Sequence, residues 1–143
     1  MNKLTETEKA YIAGIIDGEG NISLIKRKDI IRSIDYKIEI GLSNTSIDLM
    51  IYMEERLGGS VCNKKRYSVR HKKCYQWKIS RNKAYNLLKS IHPFLVIKKE
   101  QAKLAMELHN RKGKHNTKKL TNIELEYREK MYWQMKKLNK RGK

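Results

Sequence analysis

Apolar residues recur along this chain with two periods, and the switches between them mark its elements. From about Glu6, the apolar and very small residues Ala10, Ile12, Ala13, Gly14, Ile15 and Ile16 follow helical spacing. Thr5 is an N-cap for this helix, and Glu8 completes a capping-box pattern. Ala10, Ala13, Gly14 and Asp17 leave one face nearly bare, so a second backbone can approach it closely. Gly14 in a helix interior costs about 1 kcal/mol against alanine, so a packing contact is expected to compensate. Gly18 and Gly20 stop the helix and hold Glu19 in a tight turn just before an extended run.

Strands follow at 21–27 and 34–42, with a turn over 28–33. In the second, Tyr36, Ile38, Ile40 and Leu42 alternate with Lys37, Glu39 and Gly41, giving one apolar and one polar face. Residues 43–46 (Ser-Asn-Thr-Ser) supply cap chemistry for a helix over 47–57, which Gly58 and Gly59 terminate. A second strand pair, 60–67 and 73–80, is joined by a basic loop over 68–72, and Tyr75, Trp77 and Ile79 repeat the two-faced pattern. A short helix over 82–91 points Leu87, Leu88 and Ile91 inward, and His92-Pro93 breaks it. The next helix, 97–110, carries Ala102, Ala105, Met106 and His109 on one side. Residues 111–120 form a polar, basic connector, either a flexible linker or a loop that touches nucleic acid. Thr121 starts a last helix with Glu124 in capping-box position and Met131, Met135 and Leu138 inward, and 136–143 is a basic tail. Four amphipathic strands covered on one face by helices make an α+β layer with an open polar face. The expected organisation is a core domain over 1–110, the connector 111–120, and a C-terminal helix and tail over 121–143.

At 143 residues the chain suits one domain with a real core. It carries 33 Lys and Arg against 15 Asp and Glu, a net +18, and the charge is unevenly placed. Residues 1–60 hold 8 basic and 10 acidic side chains, whereas 61–143 hold 25 and 5. The interval 61–83 has 9 basic residues and no acid, more than solvation alone explains. Such a field points to a polyanion, most simply nucleic acid. A membrane is disfavoured, because no apolar run approaches spanning length and no signal peptide opens the chain. Cys62 and Cys74 lack metal-ligand or disulfide spacing, so an intracellular, reducing setting is expected, bacterial cytoplasm or organelle.

Residues 12–20 (Ile-Ala-Gly-Ile-Ile-Asp-Gly-Glu-Gly) resemble the nine-residue signature of the LAGLIDADG homing endonucleases, with conservative changes at Ile12, Ile15, Gly18 and Glu19. The likeness covers the first hundred residues in order and includes Pro93-Phe94-Leu95 followed by Lys98 and Gln101-Ala102. It implies the αββαββα saddle of that family, here with additional C-terminal helices. It also implies a homodimer, because the signature occurs once and related single-chain enzymes carry two copies. The interface would use Ala10, Ala13, Gly14 and Asp17, with Asp17 hydrogen-bonding or capping at the helix contact. Glu19 stands at the position of the family's metal-binding acid and Gly18 at that of its ligating carbonyl, which implies Mg²⁺. Lys98 aligns with a basic residue near the scissile phosphate, although a lysine at a helix start can be mere surface. Asn44 matches a polar position that orients water, although it can equally cap a helix. Asp48 falls where some relatives carry a basic residue, so the basic set around the water is incomplete here.

Recognition is expected on the open sheet face. A strand of seven to nine residues at about 3.3 Å each spans roughly 25–30 Å, close to one turn of B-DNA. Ser23, Ile25, Arg27, Lys37, Glu39, Lys64, Arg66, Gln76 and Lys78 project there. Arg70, Lys72, Lys73, Arg81 and Lys83 would sit on phosphates. The resemblance therefore implies a site-specific, Mg²⁺-dependent endonuclease acting on double-stranded DNA at a long pseudo-palindromic target. An intron reading frame is preferred over an intein, whose flanking domains are absent. The competing expectations are an RNA maturase that binds its intron RNA on the same fold, and a DNA-binding regulator without catalysis.

Overall fold

The computed structural model describes residues 3–29, 33–64, 70, 72–114 and 121–140. The chain opens with helix α1 (Glu6–Glu19), whose capping box forms as expected: the Glu8 amide donates to Thr5 Oγ1 and the Thr5 amide to Glu8 Oε1, both at 3.1 Å. Strands β1 (Gly20–Asp29) and β2 (Ser33–Asn44) pair antiparallel in unbroken register from Gly20 opposite Leu42 to Asp29 opposite Ser33. Helix α2 (Ile47–Leu57) follows, N-capped by Ser46. Then come β3 (Ser60–Lys64), β4 (Cys74–Ser80) and α3 (Arg81–Ile91). A 3₁₀ turn over His92–Phe94 leads to α4 (Lys99–Lys114) and, last, α5 (Asn122–Leu138).

The four strands form one antiparallel sheet in the order β1-β2-β4-β3. Its period-2 pattern sends Ile22, Leu24, Ile38, Ile40, Leu42, Trp77 and Ile79 to one face, where all are buried beneath the helices. The opposite face carries the polar set and, among the described residues, no helix. Trp77 is fully buried, and its Nε1 donates to the Gly58 carbonyl at 2.8 Å, so the α2–β3 corner is fixed to the sheet. Gly59 has a φ of +86°, and a Cβ there would fall 2.3 Å from the Lys78 carbonyl oxygen, so the corner requires glycine.

Several elements differ from expectation for local reasons. Residues 96–98 are not helical. Their amides donate to the Asp17 carboxylate, which holds them as a turn and delays α4 to Lys99. The first residues expected in the connector, 111–114, continue α4 instead. Arg111 donates to Glu124 at 2.7 Å and Lys112 to Asp35 at 2.8 Å, so a polar segment is paired rather than loose. Glu124 does not close a capping box. Its amide donates to Thr121 Oγ1 at 3.2 Å, but its buried carboxylate turns to Arg111 and Arg128. The strand expected over 60–67 is seen as Ser60–Lys64, and 65–67 lie outside the described residues.

Helix α5 shares the core of the preceding elements, with Met131 and Met135 buried in the same cluster as Ile22 and Ala105. Beyond its end, Asn139 Nδ2 donates to the Ile22 carbonyl of β1 at 2.8 Å. The C-terminal helix thereby helps to cover an edge strand that could otherwise recruit another chain.

Candidate active site and nucleic-acid surface

Helix α1 ends at Glu19 because Gly20 leaves helical geometry, its amide still donating to the Ile15 and Ile16 carbonyls. A Cβ at Gly20 would meet the Ile16 Cα at 3.0 Å and the Gly41 carbonyl oxygen at 3.1 Å, so the helix can feed directly into β1 only through glycine. Glu19 is exposed there, and its Oε2 accepts from Asn44 Nδ2 at 2.6 Å. Asn44 Oδ1 in turn accepts from the Ser46 amide at 2.8 Å. Asn44 thus bridges the turn before α2, whose N-cap is Ser46, and the Glu19 carboxylate.

Asp17 is 9% exposed, and its carboxylate takes the amides of Val96, Ile97 and Lys98 at 2.7, 3.2 and 3.0 Å. The same loop returns a cation to the helix: Lys98 Nζ donates to the Asp17 backbone carbonyl at 2.6 Å. A positive charge at this end of a helix is favoured by the macrodipole. Lys98 is thereby held two residues from Glu19, and Glu19, Asn44, Lys98 and the exposed Gly18 converge on one end of α1.

The face expected to be bare is narrower than the sequence implied. Ala13 is fully buried and Asp17 nearly so, both packed within their own chain, and neither stands on an open surface. Asp17, seven residues on from Ala10, leaves the helix on nearly the same side, and it is covered there by residues 96–98, whose amides it accepts; Ala13 lies further round toward the core. The outward line is Ala10, Gly14 and Gly18, with nothing within 4 Å of a Cβ built at Gly14 or Gly18. Tyr11 of the same helix, and Val96 and Ile97, whose amides reach Asp17, are exposed apolar residues beside it, and Tyr11 meets Tyr52 of α2 edge-on at 5.7 Å.

On the polar sheet face, register sets Ser23 opposite Glu39, Ile25 opposite Lys37 and Arg27 opposite Asp35. Lys78 pairs there with Gly41 and Ser60, Gln76 with Ser43 and Cys62, and Lys64 with Cys74. Ser23 Oγ donates to the Glu39 carbonyl at 3.4 Å, and Lys78 lies 3.6 Å from the Glu39 carboxylate, a surface pair worth little. Arg70, Lys72, Lys73 and Lys83 are exposed, and Lys73 lies over the Tyr75 ring. Arg81 stands 3.3 Å from Asp35. Arg66 lies outside the described residues.

The ion pairs that tie α4 and α5 to the sheet carried no local signal. Burial pushes the Asp35 carboxyl up, but Lys112 and Arg81 outweigh it and hold it below the usual range. Glu124 behaves likewise, with burial overcome by Arg111 and Arg128. The hydrogen bond from Lys26, then that from Tyr36, lowers Glu129. Burial first, then Glu129, drives the Tyr36 phenol far up.

Of the two carboxylates in the last turn of α1, Asp17 is taken up by backbone amides and Glu19 is exposed. Among the described residues, no three His, Cys, Asp or Glu side chains gather as a metal cluster. The donor set of Glu19 with a neighbouring backbone carbonyl is nonetheless hard oxygen, which fits Mg²⁺, an ion that keeps several waters and takes one or two carboxylates. Among the described residues, no helix is long and apolar enough to cross a membrane.

No curated protein matches the chain by sequence. Solved structures do. I-CvuI, in complex with the I-CreI target in the presence of Mg and with its DNA not cleaved, superposes at a TM-score of 0.78 and 17% identity, covering 96% of this chain and 85% of that one. The archaeal intron-encoded homing endonuclease I-Vdi141I, complexed with DNA, gives 0.77 and 20%, covering 96% and 87%. The LAGLIDADG homing endonuclease I-SmaMI, bound to cleaved DNA, gives 0.69 and 13%, with 98% of this chain matching 47% of that one. These likenesses establish the fold. The family model for the LAGLIDADG endonucleases matches residues 12–99, from the α1 signature to the start of α4. The chain belongs to the LAGLIDADG endonuclease family.

Proposed function

We propose that this protein is a homodimeric, Mg²⁺-dependent, site-specific endonuclease that cuts double-stranded DNA at a long pseudo-palindromic target, encoded within an intron. The observation that carries this reading is the exposed Glu19, held by Asn44 beside Lys98 at the end of a helix whose outward face is small and apolar. Two copies meeting along Ala10, Gly14 and Gly18 would bring two Glu19 carboxylates together, one for each strand. The matched length supports this arrangement, since the I-SmaMI chain is about twice as long as this one.

Glu19 and the Gly18 carbonyl would hold the Mg²⁺, which supplies Lewis-acid stabilisation of the phosphate and a more acidic water. Asn44 fixes the rotamer of Glu19 through its 2.6 Å hydrogen bond, so the carboxylate is set before DNA arrives. Lys98 is kept at the helix end by its bond to the Asp17 carbonyl. From there its ammonium can stabilise charge developing on the departing oxygen. The polar sheet face would lie along the major groove, with Arg and Lys suited to guanine and Gln76 to adenine.

Glu19→Gln is expected to abolish cleavage of the host's uninterrupted allele in Mg²⁺ while leaving DNA affinity within about threefold, because Glu19 lies outside the phosphate-contacting basic groups. Retained cutting would remove Glu19 from the site. Wild-type protein that binds this DNA and never cuts it would remove the enzyme reading.

A further inference from the structure

Among the described residues, β4 meets β2 along Glu39–Asn44 only, and the earlier half of β2 has no neighbouring strand on that side. A cavity of about 210 Å³ opens in this notch, between the start of α3 and the end of α4. The buried Ile38 and Leu108 line it, with Lys37, Arg81, Asn82, His109 and Lys112 around them. Lys112 also donates to the Tyr36 carbonyl, which satisfies one acceptor of the open edge.

We propose that this notch binds a backbone phosphate of duplex DNA beyond the footprint of the sheet. The proposal rests on the DNA-endonuclease reading and extends its contact surface to the helices. Three cations border the cavity against one carboxylate. Asp35 holds Arg81 at 3.3 Å and Lys112 at 2.8 Å, so two of those cations are fixed before any ligand arrives. The amides opening α3 face a first turn without an acid, and the Ser80 side chain does not cap them. A phosphate oxygen can take both a cation and an amide in such a place. Lys37 projects from the polar sheet face into the same cavity, so the notch is continuous with the surface that would read bases.

The test is fluorescence anisotropy of the full chain on a random-sequence duplex across a salt series. Lys112→Gln is expected to flatten the slope of log K against log salt by about 0.9 and to weaken binding about eightfold at 0.1 M salt, the signature of one lost phosphate contact. Asn82→Glu is the control against misfolding: an acid in the first turn of α3 favours the helix, so melting temperature should hold or rise while DNA affinity still falls. Wild-type slopes in both variants would overturn the notch while leaving the DNA reading intact. Thermal stabilisation by inorganic phosphate, lost in Lys112→Gln with an unchanged DNA slope, would also overturn it by making the notch a free-anion site. A wild-type protein with no salt-dependent affinity for duplex overturns the DNA reading itself.

Discussion

Asp17 and Glu19 are separated by Gly18 alone, and at about 100° per residue their side chains leave α1 on nearly opposite sides. Asp17 turns inward and collects three amides of the segment before α4, whereas Glu19 turns outward and touches Asn44 alone among the contacts described. Their substitutions should therefore separate. Asp17→Ala leaves three part-buried amides without their acceptor and is expected to cost about 1–3 kcal/mol, read as a lower urea midpoint at unchanged slope. Glu19→Gln is exposed and should stay within about 0.5 kcal/mol, so any loss of cutting cannot be blamed on unfolding. Glu19 was legible because glycines flank it and a signature contains it. The partners of Asp17 were not, since they are backbone amides some eighty positions away and leave no mark in side-chain chemistry.

The same contrast holds between elements. The boundaries of α2 and the alternation of β2 and β4 follow from period and caps, because those signals are local. Where α4 and α5 dock did not, because Lys112 with Asp35, Arg111 with Glu124 and Lys26 with Glu129 are long-range pairs between residues that read as ordinary surface charge. These pairs make an acid-sensitive seam. Asp35, Glu124 and Glu129 all titrate below their ordinary values of 3.8, 4.5 and 4.5, so their contribution is whole above that range and disappears as pH falls through the lowered values. Melting temperature is expected to fall steeply below about pH 4.5, and Glu124→Gln should flatten that fall, because the substitution removes a carboxyl whose protonation drives it. A profile that Glu124→Gln leaves unchanged would assign the acid sensitivity elsewhere. Met131 is buried between α5 and the sheet, and Met131→Ala is expected to cost about 2–5 kcal/mol in the unfolding of the whole domain.

For the molecule as a whole, the outward line of α1 sets the most discriminating experiment. A large side chain at position 14 has two possible effects, loss of the fold or loss of a partner, and the structure separates them. A Cβ at Gly14 meets nothing within 4 Å in the single chain, so leucine there has room, and replacing a helical glycine gains up to about 1 kcal/mol of helix propensity. The lone chain should therefore fold at least as well with leucine. The expected dimer would not form, because the two helices would be held apart where Ala10, Gly14 and Gly18 let them touch, and the apolar surface of Tyr11, Val96 and Ile97 would stay wet. Gly14→Leu is thus expected to sediment as a 17.0 kDa monomer with an undiminished circular-dichroism melt at low concentration. Double-strand cutting should vanish with the second Glu19. A Gly14→Leu protein that keeps the mass of a dimer would move the interface off α1, and with it the reason for two glutamates to face one duplex.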